Sequence, residues 1–156
     1  MGHDTAGDPR SSALARLDAF VGEWSLAVDF PDGPKESSGR VTFDWTLARE
    51  YLLQRWEVPH PDAPDGMAVI SAEDDGEAYV QHYFDSRGVV RVYRMTFRDR
   101  LWTLVRDAPD FTPLDFSQRY SGAFSEDGSS IVGRWETSYD GSTWELDFNL
   151  TYRRIA

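Results

Sequence analysis

The chain has 156 residues, no cysteine, 14 % aromatic residues and a formal net charge of −11. That length suits one domain with a real core, and the aromatic content excludes a disordered chain. The absence of cysteine excludes disulfides, thiolate metal sites and cysteine nucleophiles and suits a cytoplasmic protein, while the negative charge repels nucleic-acid phosphates and anionic membranes. No apolar run approaches the ~20 residues of a membrane span. The first residues, Met1-Gly2-His3-Asp4-Thr5, lack a basic region followed by an apolar one, so no signal peptide is expected.

Residues 1–10 are polar and contain Gly, Asp and Pro, which reads as a flexible tail ahead of a single domain over 11–156. Ser12 is placed to cap a short helix reaching Val21, with Leu14, Leu17, Phe20 and Val21 as its apolar stripe. Gly22-Glu23-Trp24 then opens a strand to Phe30, and Pro31-Asp32-Gly33-Pro34 is a loop. Val41, Phe43, Trp45 and Leu47 alternate with polar residues, so a second strand is predicted. Tyr51–Val58 and Met67–Ala72 follow, separated by the Pro- and Asp-rich loop 59–66.

The stretch Ala78–Arg106 reads as three strands joined by turns at Ser86-Arg87 and Asp99-Arg100. Two-residue loops at both turns pair His82 with Arg91, Val80 with Tyr93, Phe97 with Trp102 and Met95 with Leu104. One face then carries Val80, Phe84, Met95, Phe97, Trp102 and Leu104, together with His82, Arg91, Tyr93 and Arg106. An apolar face with a few convergent polar groups is what a ligand pocket needs. After the loop 107–115, three further strands are joined by Asp127-Gly128 and Asp140-Gly141, both strong hairpin signals. Their expected register sets Phe124 against Ile131 and then Leu150, Tyr120 against Trp135 and then Leu146, and Gln118 against Thr137 and then Trp144. Arg119 meets Glu136, and Arg134 meets Asp147, on the outer face. Ten antiparallel strands with short turns and one early helix predict an all-β, ten-stranded up-and-down barrel, the helix capping its closed end.

A short helix, Gly22-x-Trp24 opening the first strand, and a meander ending in basic residues beside the closing strand resemble the calycins: lipocalins, fatty-acid-binding proteins and nitrobindin-like barrels. The segments Gln81–Gly88, Phe116–Arg119 and Gly133–Glu136 are also similar to a bacterial family of uncharacterised lipocalin-like proteins, a likeness over roughly residues 14–154. The resemblance implies a Trp plugging the closed end with an Arg stacked on it, Arg153 or Arg154. For the nitrobindin-like barrels it implies haem held by a His late in the chain, and no His follows His82 here. Arg91-Val92-Tyr93 has the Arg-x-Tyr spacing with which fatty-acid-binding proteins hold a carboxylate, on an earlier strand.

Counting turns alternately puts the loops 31–38, 59–66 and 107–115 at one end, the expected mouth. The expected function is binding of a small, mostly apolar ligand with an anionic group. His82, Arg91, Arg106 and Gln118 hold its polar end, and Trp45, Trp56, Tyr93, Met95, Trp102, Tyr120 and Trp135 line its body. A cofactor-free enzyme of isomerase or cyclase type, with His82 as acid/base and Tyr93 as donor, is the alternative; haem through His82 or His60 is a third. No other cofactor is expected. His3, His60 and His82 have no metal-ligand spacing, so no metal is expected. The expected partner is a small amphipathic or anionic molecule, with no nucleic acid and no membrane, bound to a monomer or homodimer.

Overall fold

The computed structural model describes residues 8–29, 35–59 and 63–155, with the backbone alone at 35–38. Helix α1, Pro9–Arg16, continues as a single 3-10 turn, Leu17–Phe20. Its cap is Asp8 rather than Ser12: the Asp8 carboxylate accepts from the Arg10 backbone N–H at 3.1 Å and from the Ser11 hydroxyl at 3.0 Å. Pro9 follows, a residue preorganised for the first helical position. The helix therefore takes in Pro9 and Arg10, with Asp8 as its cap, and residues 1–7 lie outside the described residues.

Ten strands follow: β1 Gly22–Asp29, β2 Lys35–Thr46, β3 Tyr51–Glu57, β4 Gly66–Ala72, β5 Tyr79–Asp85, β6 Val90–Arg98, β7 Leu101–Arg106, β8 Ser117–Phe124, β9 Ser130–Ser138 and β10 Glu145–Arg154. Each pairs antiparallel with its neighbours in chain order, and β1 pairs with β10, closing the barrel. Closure leaves no free sheet edge. β2 starts six residues before the predicted alternation at Val41, because backbone pairing with β1 continues through the Gly- and Ser-rich residues 35–40. Among the described residues no helix is long and apolar enough to cross a membrane.

The β5–β6 hairpin departs from its predicted register. β5 and β6 pair Tyr83 with Arg91, Gln81 with Tyr93 and Tyr79 with Met95. The connecting loop has three residues, Ser86-Arg87-Gly88, with Gly88 at φ +83°. Asp85 builds it, accepting from the backbone N–H of Arg87 at 2.9 Å and of Val89 at 3.3 Å. A slip of one residue turns a strand over. Tyr79, Gln81 and Tyr83 thus face inward, and Val80, His82 and Phe84 face out.

The β6–β7 and β8–β9 registers are as predicted, with Phe97 opposite Trp102, Tyr120 opposite Trp135 and Gln118 opposite Thr137. The last hairpin is longer than predicted. Asp140 accepts from the backbone N–H groups of Ser142 and Thr143, both at 2.7 Å, and β10 carries a register shift between Leu146 and Phe148. Trp135 therefore faces Phe148 instead of Leu146, and Ile131 faces Tyr152 instead of Leu150. Arg119 pairs with Glu136 as predicted, at 2.9 Å, whereas Arg134 lies opposite Asn149 rather than Asp147.

The helical segment plugs one end. Phe20 is fully buried, with ring centroids 4.9–5.2 Å from Phe43, Phe97, Trp102 and Phe124. Three of these contacts are edge-to-face, the geometry in which aromatic quadrupoles attract. Trp24 donates its indole N–H to the Phe20 carbonyl at 2.9 Å, and the Arg154 guanidinium lies 4.2 Å from its ring. Arg154, and not Arg153, also donates to the carbonyls of Val21 and Ala19, at 2.6 and 2.8 Å. One cation thus ties the last strand to the plug and to the first strand.

Candidate functional site

Above this plug the barrel holds a cavity of about 340 Å³ whose lining extends to Val58, Ala63, Pro64 and Arg87 at the far ends of the strands. This is the end predicted as the mouth; residues 31–34 and 60–62 of its loops lie outside the described residues. The wall from β1, β2 and β10 is mainly apolar, with Leu26, Val28, Val41, Phe148 and Leu150. The other wall is aromatic and polar. Trp56, Tyr83, Tyr93, Trp135, Tyr120 and Trp102 follow one another around it, with successive ring centroids 4.8–6.2 Å apart. Two glycine positions shape this wall. A Cβ at Gly66 would strike the Trp56 ring, and one at Gly133 would strike the Tyr120 phenol. Both rings lie flat against the sheet because a neighbouring strand offers no side chain there.

Three glutamines enter the cavity: Gln54, Gln81 and Gln118, all buried. Gln118 Oε1 accepts from the Tyr93 hydroxyl at 2.9 Å and from Arg91 Nη1 at 3.0 Å. The Arg91 guanidinium also lies 5.5 Å from the Phe116 ring. Among the described residues no carboxylate pairs with Arg91. Burial raises the ionisation of the Tyr93, Tyr120 and Tyr152 phenols above the usual tyrosine range, so each is neutral and able to donate.

Arg106 is different. Its side chain is 2 % exposed and forks onto Asp110, with Nε and Nη2 at 2.8 and 2.9 Å from the two carboxylate oxygens. Asp110 also accepts from the backbone N–H of Val92 and Thr112. The Arg106 hydrogen bonds hold its carboxyl well below the usual carboxylate range. The predicted pair of uncompensated arginines is thus a single one: Arg106 is neutralised by the 107–115 loop and does not line the cavity. A second buried carboxylate, Asp85, stands at the rim. Burial pushes its pKa up, but hydrogen bonds from Arg87, Tyr83 and the Arg87 and Val89 backbone dominate and bring it down to about 2.

Of the predicted site residues, Trp56, Arg91, Tyr93, Trp102, Gln118, Tyr120 and Trp135 share the cavity lining. His82 does not, because the β5 slip turns it outward between the inward Gln81 and Tyr83. Met95 is fully buried below the cavity. Trp45 sits at the plugged end, its indole N–H donating to Asp18 at 2.9 Å and Arg49 stacked on its ring. Gln54, Gln81, Tyr83 and Tyr152 line the cavity and were not predicted to do so. For Gln81 and Tyr83 the signal was the spacing Asp85-x-x-Gly88, which marks a three-residue loop and reverses the strand's faces.

The lining contains no histidine among the described residues, and His60 lies outside them. The haem reading through His82 therefore does not fit this cavity. No group of His, Cys, Asp and Glu among the described residues is arranged to hold a metal ion.

No protein-family model matches the chain, and no curated protein does. Its fold is similar to that in the crystal structure of Rv2717c from M. tuberculosis, with a TM-score of 0.67 and 13 % sequence identity over 92 % of this chain and 98 % of that one. At that identity the likeness concerns the fold alone, and it identifies the chain as a closed antiparallel β-barrel of that architecture.

Proposed function

We propose that the barrel is a calycin-type binding protein whose cavity takes a small, mostly apolar molecule carrying an anionic group. The Trp24–Arg154 stack beneath a helical plug supports the calycin reading. The observation that carries the ligand reading is Arg91. It enters an aromatic cavity with a neutral amide oxygen and an aromatic face as its partners, although the protein carries eleven excess negative charges. A guanidinium so placed is an attractive site for a carboxylate or sulfonate. Tyr93 and Gln118 orient it, and the aromatic and aliphatic walls take the ligand's body. The acid–base enzyme reading loses its base with His82 on the outer face. The absence of cysteine keeps a cytoplasmic setting as the working assumption.

The test is fluorescence titration with anilinonaphthalene sulfonate and with its neutral analogue N-phenylnaphthylamine. Wild-type protein is expected to favour the anion. Arg91→Ala should weaken the anion by about 1–3 kcal/mol, the value of a charge-assisted bond, and leave the neutral dye unchanged. Equal losses for the two dyes would reduce Arg91 to a packing role.

A further inference from the structure

Below Arg91 the cavity contains a second kind of polar group. The Gln81 carbonyl oxygen, the Trp102 indole N–H and the Tyr120 hydroxyl have no hydrogen-bond partner among the described residues. Their residues are 4 %, 1 % and 2 % exposed and all three line the cavity. Buried polar groups are normally satisfied, so three together in one cavity call for an explanation. They come from three strands, β5, β7 and β8. The Trp102 and Tyr120 rings are 4.8 Å apart, and Tyr120 rests over Gly122 and Gly133, which face each other across β8 and β9. The phenol oxygen is thereby carried down toward the plug, away from Gln118 and Arg91.

The three atoms have complementary abilities. Gln81 Oε1 accepts, Trp102 Nε1 donates, and the Tyr120 hydroxyl does either. The charged residues of the lining, Arg87 and Arg91, stand in the mouth half, and a charge on the floor would be buried without a counterion. We infer that the ligand carries a second, uncharged polar group, a hydroxyl or carbonyl, at its inner end, recognised by Trp102 and Tyr120, whose rings are in contact. The inference rests on reading the cavity as a ligand site. It makes the ligand two-headed, with an anion at the mouth and a neutral polar group at the floor. From Gln118 to Gly122, the residue paired with Trp102, is four residues of strand, or about 13 Å. An apolar body of roughly ten carbons spans that distance.

The experiment is calorimetric titration of the full chain with decanoate, 10-hydroxydecanoate, 1-decanol and 1,10-decanediol. The terminal hydroxyl is expected to tighten binding about three- to tenfold, both in the acid pair and in the alcohol pair, the value of one net hydrogen bond. Tyr120→Phe removes only the unpartnered oxygen. It should leave the melting temperature of the ligand-free protein unchanged or higher and reduce the hydroxyl preference, with Trp102 remaining as the other partner. Equal affinity within each pair, or a preference that Tyr120→Phe does not reduce, overturns the inference. The alcohol pair separates the two claims. If decanoate binds no better than 1-decanol, the anion reading falls, while a diol preference that depends on Tyr120 still supports the floor site. Binding of none of the four overturns both.

Discussion

At the plugged end of the barrel, Phe20 is surrounded by four rings, the Trp24 indole has the Phe20 carbonyl, and Arg154 has three carbonyls and an aromatic face. The cavity above it leaves Arg91, near the mouth, with one neutral oxygen and a ring, and leaves three polar atoms without a partner among the described residues. The plugged end uses its polar groups to fasten segments distant in sequence, while the cavity above it leaves some of its polar capacity unused. An unused hydrogen-bonding group in an aromatic cavity contributes nothing to holding the fold, which is why the cavity is the part to read for function.

Replacing Trp24 should give the largest effect on this comparison. Trp24→Ala removes a fully buried ring together with its hydrogen bond and its stack on Arg154, and should cost about 3–5 kcal/mol in denaturant titration. A loss under roughly 1 kcal/mol would mean that the plug does not close the barrel.

Asp110→Ala comes next, because it asks whether Arg106 belongs with the structural cations. The change leaves a buried guanidinium without its carboxylate and should cost about 3 kcal/mol. The pH dependence has the same origin. Asp110 and Asp85 ionise below the usual carboxylate range in the folded protein, Asp85 at about 2 against an ordinary 3.8. At low pH the unfolded chain therefore binds more protons than the folded one. Their contribution is complete above about pH 5 and is lost progressively as the pH falls toward 2 and, for Asp110, below it. Thermal melts between pH 5 and 2 should show this decline, and Asp85→Asn should make it shallower. An unchanged slope would assign the acid sensitivity to other carboxylates.

The smallest effect sharpens the comparison from the other side. His82→Gln, on the outer face, should change stability by no more than about 0.5 kcal/mol and should leave the affinity for both naphthyl dyes at the wild-type value. A measurable loss of affinity would place the imidazole in the cavity and contradict the β5 register.

Most of the barrel was legible because a half-buried strand has a period of two and a tight turn has few permitted residues. Those two rules suffice for ten strands and for the inward faces of β6, β7, β8 and β9, hence for Arg91, Tyr93, Trp102, Gln118, Tyr120 and Trp135. They fail where a loop length is set by a side chain. Asp85 and Asp140 each gather backbone N–H groups and lengthen their turns, and one added residue exchanged His82 for Gln81 and Tyr83. The fate of the two arginines was beyond any strand rule. Arg91 and Arg106 look alike along the chain, each at an inward position near the mouth. Only the folded 107–115 loop brings Asp110 onto Arg106 and leaves Arg91 without a carboxylate. Local sequence determined which way most side chains point, since pleating is a property of the strand itself. Which charge is neutralised was decided by tertiary structure, since ion pairing depends on how the 107–115 loop folds back over the barrel, setting a carboxylate four residues along the chain within three ångströms of Arg106.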